Sequence, residues 1–284
     1  MKLRRTAARI PLHVTLLFFG ALWFVPTLGL LLTSFRDSAD IAQSGWWTVL
    51  PKLFSGGQYS LENYIGVLSQ HGLFTSFMNS LKLSVPATAI STTVASLAAY
   101  GFAWMRFRGR RYMFMMLVAL MVIPLQLTLI PVLGIYSKLG LAGTFPGVWL
   151  AHTAYGLPLT TYLMHNYMSG IPKDLFDSAA IDGAGSFTVF LRIVLPISVP
   201  ALASVFIFQF LWIWNDLLVA LVYMGANPKV APLTVTLSNM VTNMGQDWEL
   251  LTAGAFVSML LPLVVFFGLQ RYFVRGILAG SLKG

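Results

Sequence analysis

Apolar residues gather in six long runs, near 12–33, 77–104, 112–134, 146–166, 197–223 and 251–270, and the segments between them hold most of the charged side chains. A helix needs roughly 20 mainly apolar residues to cross the hydrocarbon core of a bilayer, so the pattern predicts an all-α membrane protein with six transmembrane helices. The second and fifth runs are long, which permits tilt or an extra turn beyond the lipid. Pro124 and Pro131 interrupt the third run, and Gly156 and Pro158 the fourth. Proline removes a backbone donor and kinks a helix. In lipid such breaks survive only where neighbouring helices or water satisfy the freed groups, so kinked helices are expected inside the bundle. The first run, Pro11 to Leu32, exceeds the roughly 7–15 apolar residues of a signal peptide and is read as an uncleaved span.

Composition supports this pattern. Charged residues make up 10% of the 284-residue chain, against about 25% in soluble proteins. The net charge of +9 raises nucleic acid as a partner, but no basic face on a soluble body is visible. Topology accounts for the charge instead. With six spans both termini share a side, and that side collects thirteen of the eighteen Lys and Arg residues, including Arg4, Arg106, Arg110, Lys173 and Arg271. Arg36, Lys52, Lys138 and Lys229 fall opposite, and Lys82 near the start of the second run. The excess of basic loop residues marks the cytoplasmic side, so both termini are expected there. The external segment 34–76 carries Trp46 and Trp47, which suit a membrane–water interface. There is no cysteine, which excludes disulfides and thiol chemistry.

The most informative segment lies between the fourth and fifth runs: Ile171-Pro172-Lys173-Asp174-Leu175-Phe176-Asp177-Ser178-Ala179-Ala180-Ile181-Asp182-Gly183-Ala184. Pro172 suits a first helical position, Asp174 and Asp177 place negative charge near the helix N-terminus, and Gly183 is a natural stop. A second short helix is expected from Phe187 to Leu195, ending at Pro196. Leu175, Ala179 and Asp182 share a face at i, i+4 and i+7. Ser178, Ala179, Ala180 and Ala184 are small enough for a partner to approach closely. Such a helix suits docking into a groove of a soluble protein, and its composition equally suits an amphipathic helix lying on the bilayer.

The segment resembles the EAA motif of ABC importer permeases. Asp177-Ser178-Ala179 stands for Glu-Ala-Ala, Gly183 for the motif glycine, and Ile193-Val194-Leu195-Pro196 for the closing Ile-x-Leu-Pro. Asp for Glu keeps the charge on a shorter stem, and Ser for Ala keeps the size. Asn79-Ser80, Ile123-Pro124-Leu125-Gln126, Trp214-Asn215-Asp216 and the tail Gln270 to Gly276 are similar to carbohydrate-type permeases, the smaller channel subunit of maltose and α-glucoside importers. The resemblance implies a bacterial cytoplasmic membrane subunit that forms half of a sugar channel. It implies a second, non-identical permease, a pair of ATPase subunits carrying ATP-Mg, and an extracytoplasmic sugar-binding protein as partners. It also makes the 171–184 helix the coupling helix, with Leu175, Asp177, Ser178, Ala179, Ala180, Asp182, Gly183, Ala184 and Pro196 at the ATPase. On that reading residues 1–72 form the first span and external segment, and 73–284 a five-helix permease core with the coupling loop at about 170–196. The sugar is expected to be an α-glucoside or a related mono- or oligosaccharide.

Asn215 and Asp216 are expected at depth in the fifth span, where polar groups usually face a partner or a water-filled path. Gln209, Trp212 and Asp216 share a helical face there. Gln126 and Thr128, with His152, Thr153, Thr160 and Thr161, suggest further interior faces. Each suits a sugar pathway, and each suits helix-locking hydrogen bonds. The four histidines lack metal-ligand spacing, and neither a Gly-x-x-x-x-Gly-Lys-Ser/Thr loop nor a Gly-x-Ser-x-Gly elbow is present. No cofactor is therefore expected on this chain, and no catalysis. An ion-coupled secondary carrier is the rival reading, with Asp216 its one candidate relay.

Overall fold

The computed structural model describes residues 10–52, 59–69, 72–225, 227–243 and 248–281. Every regular element among these residues is helical. In chain order they are α1 (Ile10–Ser34), α2 (Ser38–Gln43), a 3₁₀ segment (Trp46–Lys52), α3 (Glu62–Ser69), α4 (Leu73–Trp104), α5 (Arg110–Ala119), α6 (Gln126–Leu139) and α7 (Phe145–Met168). There follow α8 (Lys173–Ile181), α9 (Ser186–Val189), a π turn (Phe190–Val194), α10 (Leu195–Ile197), α11 (Val199–Trp214), α12 (Leu218–Met224), α13 (Leu233–Asn243) and α14 (Trp248–Ser281).

Three stretches are long and apolar enough to cross a membrane: α1, α4 and Trp248–Arg271 of α14. Two bent pairs raise the number to five if each counts as one span. Arg110–Val122 meets α6 at 106°, and Ser186–Ile197 meets α11 at 79°. The third run is thus sharply broken at Pro124, whereas Pro131 sits inside the continuous α6. Against expectation, Gly156 and Pro158 do not interrupt the fourth run, since α7 is one helix of 24 residues. It is less apolar than the other candidates because its Gly, Thr and His residues, including His152, Thr153, Gly156, Thr160 and Thr161, are buried among protein rather than turned to lipid. The fifth run is interrupted instead, where α11 stops at Trp214 and α12 begins at Leu218.

The chain divides into two compact units. The first comprises residues 1–74 and 237–259. In it the end of α1 is fastened to the segment that follows. The Asn63 side-chain amide donates to the carbonyls of Ser34 and Arg36, and the Ser34 and Tyr64 hydroxyls are 2.7 Å apart. Arg36 is 1% exposed. Its guanidinium donates to the Asp40 and Ser44 carbonyls and to the Ser44 hydroxyl, at 2.8, 3.0 and 2.6 Å. A cation counted as a loop charge in the sequence thus organises the turn from α1 into α2. Trp47 is exposed, as an interfacial ring would be, while Trp46 is only partly so.

The second unit comprises residues 75–236 and 260–284, and two apolar clusters hold it together. One packs Leu83, Leu129, Val148, Ile213 and Tyr223 where α4, α6, α7, α11 and α12 meet. The other packs Tyr100, Met164, Met168, Ala179, Phe190 and Val194 beneath α8. Asn79 and Ser80, near the start of α4, satisfy the irregular chain before α13. Asn79 Nδ2 donates to the Lys229 and Ala231 carbonyls, and the Leu233 N–H donates to Ser80 Oγ at 2.8 Å.

Replacing Arg36 by Met should release the α1–α2 turn. Loss of three hydrogen bonds from a buried charged group costs about 3 kcal/mol, or roughly a hundred-fold faster opening. Amide hydrogen exchange should therefore accelerate across residues 37–44 and stay unchanged in α7.

Candidate functional site

The segment from Ile171 to Ala184 folds as expected into one short helix with a defined end. Pro172 caps α8 rather than opening it, and the helix starts at Lys173. At the far end the Gly183 N–H donates to the Ala180 carbonyl and the Ala184 N–H to the Ala179 carbonyl, at 3.1 and 2.9 Å. These are the two bonds of a Schellman stop, which requires a left-handed residue. Gly183 supplies it with φ +71°, and the space around it is open.

Nine residues are too few to hold a helix in isolation. The second core cluster supplies the support. Phe176 stacks on Trp104 at the end of α4, with ring centroids 3.7 Å apart and planes 17° from parallel. The Trp104 indole N–H donates to the Met168 carbonyl at 2.9 Å, and the Tyr100 hydroxyl donates to the Ser186 carbonyl at 3.0 Å. The end of α7, just before α8, and the helix after α8 are thereby both tied to α4. Such an aromatic pair is worth about 1 kcal/mol beyond the area it buries.

The support decides which residues face outward. Ala179 is 5% exposed and belongs to the core under α8, so it does not share an open face with Leu175 and Asp182. Leu175, Asp177, Ser178, Ala180, Asp182 and Gly183 are exposed, and Ala184 is partly so. Ile181, which the spacing argument passed over, is 88% exposed. Asp177 pairs with Lys173 one turn earlier at 3.3 Å, both well solvated; such pairs contribute at most about 1 kcal/mol. Pro196 is exposed but does not end the second short helix. It lies in the first turn of α10, where a missing N–H costs nothing, and the helix continues to Ile197 before the bend at Ser198.

The interior polar residues separate. Gln209 is buried, and its Oε1 accepts from Thr160 Oγ1 at 3.3 Å. The Gln209 amide lies so close to the backbone of α7 that a Cβ on Gly156 would overlap it, so any larger residue there would push the amide aside. Trp212 meets the buried His152 ring edge-on at 5.3 Å, and His152 Nε2 lies 3.8 Å from Asp216 Oδ2. Asp216 is not on the face of α11 with Gln209 and Trp212, because that helix has ended. Its carboxylate accepts from the Val219 and Ala220 N–H groups at 3.4 and 3.0 Å, opening α12. Asn215 is exposed, just past the end of α11. Its side-chain amide donates back to the Leu211 carbonyl and closes the last turn of α11. Gln126, which opens α6 just after the 106° bend, is also exposed. Thr128 does face inward, in a chain with the Tyr155 and Tyr223 hydroxyls at 2.9 and 2.6 Å. Among the described residues, no three or more His, Asp and Glu side chains are arranged to hold a metal ion. The Trp104–Phe176 latch and the His152–Asp216 contact each join residues too far apart in the chain for local spacing to reveal.

Comparison with known proteins places these features. The pattern described as binding-protein-dependent transport system inner membrane component matches residues 91–279. The osmoprotective compounds uptake permease protein GgtD of Synechocystis sp. is 56% identical over 97% of this chain and 92% of its own. The alpha-glucoside transport system permease protein AglG of Rhizobium meliloti is 38% identical over 99% of both. In fold, the chain is similar to one solved in a bacterial ABC transporter involved in the import of the acidic polysaccharide alginate. The TM-score is 0.77, the identity 22%, and the match covers 94% of this chain and 97% of that one.

Truncating Phe176 to Ala removes the stack that carries α8 and should cost about 2 kcal/mol locally. Gly183→Val, forcing a branched side chain into a left-handed conformation, should cost a similar amount, about 1–2 kcal/mol. Hydrogen exchange should quicken over residues 173–184 in both variants and remain unaltered in α11. Unchanged protection of α8 would refute the latch.

Proposed function

Because the chain belongs to the family of binding-protein-dependent transport system inner membrane components, we propose that it forms half of the translocation pathway of an ATP-driven sugar importer. It is a permease component of an ABC transporter, a multi-pass membrane protein and not an enzyme. The partners of the proposed assembly are a second, non-identical permease, a pair of ATPase subunits holding ATP-Mg, and an extracytoplasmic sugar-binding protein. The proposed topology has six spans, with α7 as the sixth, and both termini in the cytoplasm.

The observation that carries this reading is α8. A short helix with exposed Leu175, Asp177, Ser178, Ile181 and Asp182 is latched to α4 through Phe176 and packed on α7 residues through Ala179. A force on its outer face is therefore delivered to two membrane helices rather than absorbed in a loop. ATP-driven closure of the ATPase pair would move α8, and the bundle would rock about a midplane site.

The cargo we propose is a small neutral carbohydrate, an α-glucoside or a related osmoprotective compound. One support is the names of the relatives. The other is that the buried polar side chains of the second unit's described residues are hydroxyls, amides and one imidazole, with no Lys or Arg among them, so nothing there calls for an acidic cargo. The His152–Asp216 contact is what an ion-coupled carrier would build on, and it is the one observation that favours that second reading.

Reconstitution with the partner subunits should show ATP hydrolysis and sugar uptake falling by about tenfold or more in Asp177→Lys, which sets a second lysine against Lys173, and in Gly183→Val. Uptake driven by an ion gradient without ATPase subunits would overturn the importer reading. Orientation is separable, since the chain has no cysteine of its own. A membrane-impermeant thiol reagent should label Thr48→Cys in intact cells, and Ser178→Cys only after permeabilisation.

A further inference from the structure

Directly after α4 the chain reads Met105-Arg106-Phe107-Arg108-Gly109-Arg110-Arg111. Basic residues at the end of a span need only lie on the correct side of the membrane to set topology, and no particular arrangement is required of them. Here there is one. A groove of about 640 Å³ opens between this turn and α8–α9, lined by Arg106, Arg110, Lys173 and Asp177 and by the stacked Trp104 and Phe176. Arg110 is held in place, its Nη1 donating to the Met105 and Ala103 carbonyls at 2.9 and 3.4 Å. Lys173 reaches the same groove from a distant part of the sequence. Three cations stand against one carboxylate, and that carboxylate is already engaged with Lys173.

We infer that this groove binds the phosphate of an anionic membrane lipid headgroup. Arginine's fork and lysine's ammonium both suit a multi-oxygen anion. Basic pockets between helices at the cytoplasmic boundary are favourable sites for such headgroups. The rim selects a lipid over free phosphate. Met105 and Phe107 are 45% and 42% exposed beside the end of a membrane-length helix, so an acyl chain has apolar surface to follow. Because Phe176, Asp177 and Ala180 of α8 form one wall, an occupied groove braces α8 against α4, and lipid composition then tunes how firmly the docking helix is held. The inference rests on the proposed reading of this end of the chain as cytoplasmic.

The test is native mass spectrometry of the full chain in detergent, titrated with phosphatidylglycerol, phosphatidylcholine or inorganic phosphate. Arg106→Gln with Lys173→Gln empties two groove cations. Arg108→Gln with Arg111→Gln removes the same charge from residues that do not line the groove. The first pair should bind phosphatidylglycerol about thirty-fold more weakly and the second within about threefold of wild type. Phosphatidylcholine should show no such difference, and millimolar phosphate should not displace the lipid. Circular dichroism confirms that both variants keep their helix content. Equal weakening in both variants, or displacement by free phosphate, overturns the proposal. So does undiminished lipid binding by the groove variant with loss of ATPase-subunit capture, which would assign the groove to an acidic segment of that subunit. Detergent binding has no sidedness, so an inverted orientation would show in the thiol labelling and leave this result unchanged.

Discussion

Hydrocarbon offers a backbone no hydrogen-bond partner, so a break in a membrane helix must find its partners within the protein. Where α11 ends, the Asp216 carboxylate meets the N–H groups of Val219 and Ala220, and the Thr234 hydroxyl donates to the Asp216 carbonyl at 2.7 Å. Where the chain runs irregularly before α13, Asn79 and Ser80 supply the missing donors and acceptor. Ser198, fully buried at the bend before α11, donates its N–H to the Val194 carbonyl. Much of the polar sequence therefore permits breaks in helices that would otherwise have to be straight rods.

That role changes what the interior polar groups mean. Asp216 and Gln209 bind helices to one another, and Gly156 lets Gln209 approach α7. A pathway residue must leave part of its hydrogen-bonding capacity for cargo, whereas these have spent theirs on neighbours in part or whole. Among the described residues, buried hydroxyls such as Ser84, Thr88 and Thr161 and the His152 ring find no hydrogen-bond partner, and at 0–1% exposed they meet neither water nor cargo unless the helices around them part.

The placement of α8 depends on the same economy of contacts. α8 is short and its outer face is solvated, so its position is decided by Phe176 and Ala179 beneath it. The stack on Trp104, itself bonded to Met168, joins the ends of α4 and α7 at one point.

The class of protein and the short helix at 173–181 were legible in the sequence because both rest on local order. Run lengths report solvent, and Pro172 through Gly183 carry their own start and stop. Placement was not legible wherever two distant stretches decide it together. Pro124 and Pro131 look alike along the chain, yet only Pro124 breaks a helix, and Pro158 breaks none. Whether a missing N–H matters depends on neighbours that replace it, and those are tertiary. Helical spacing set Ala179 beside Leu175, but packing turned it inward. Asp216 was foreseen as a costly group at depth, and only the fold could show that the helix ends before it and that its charge opens the next one.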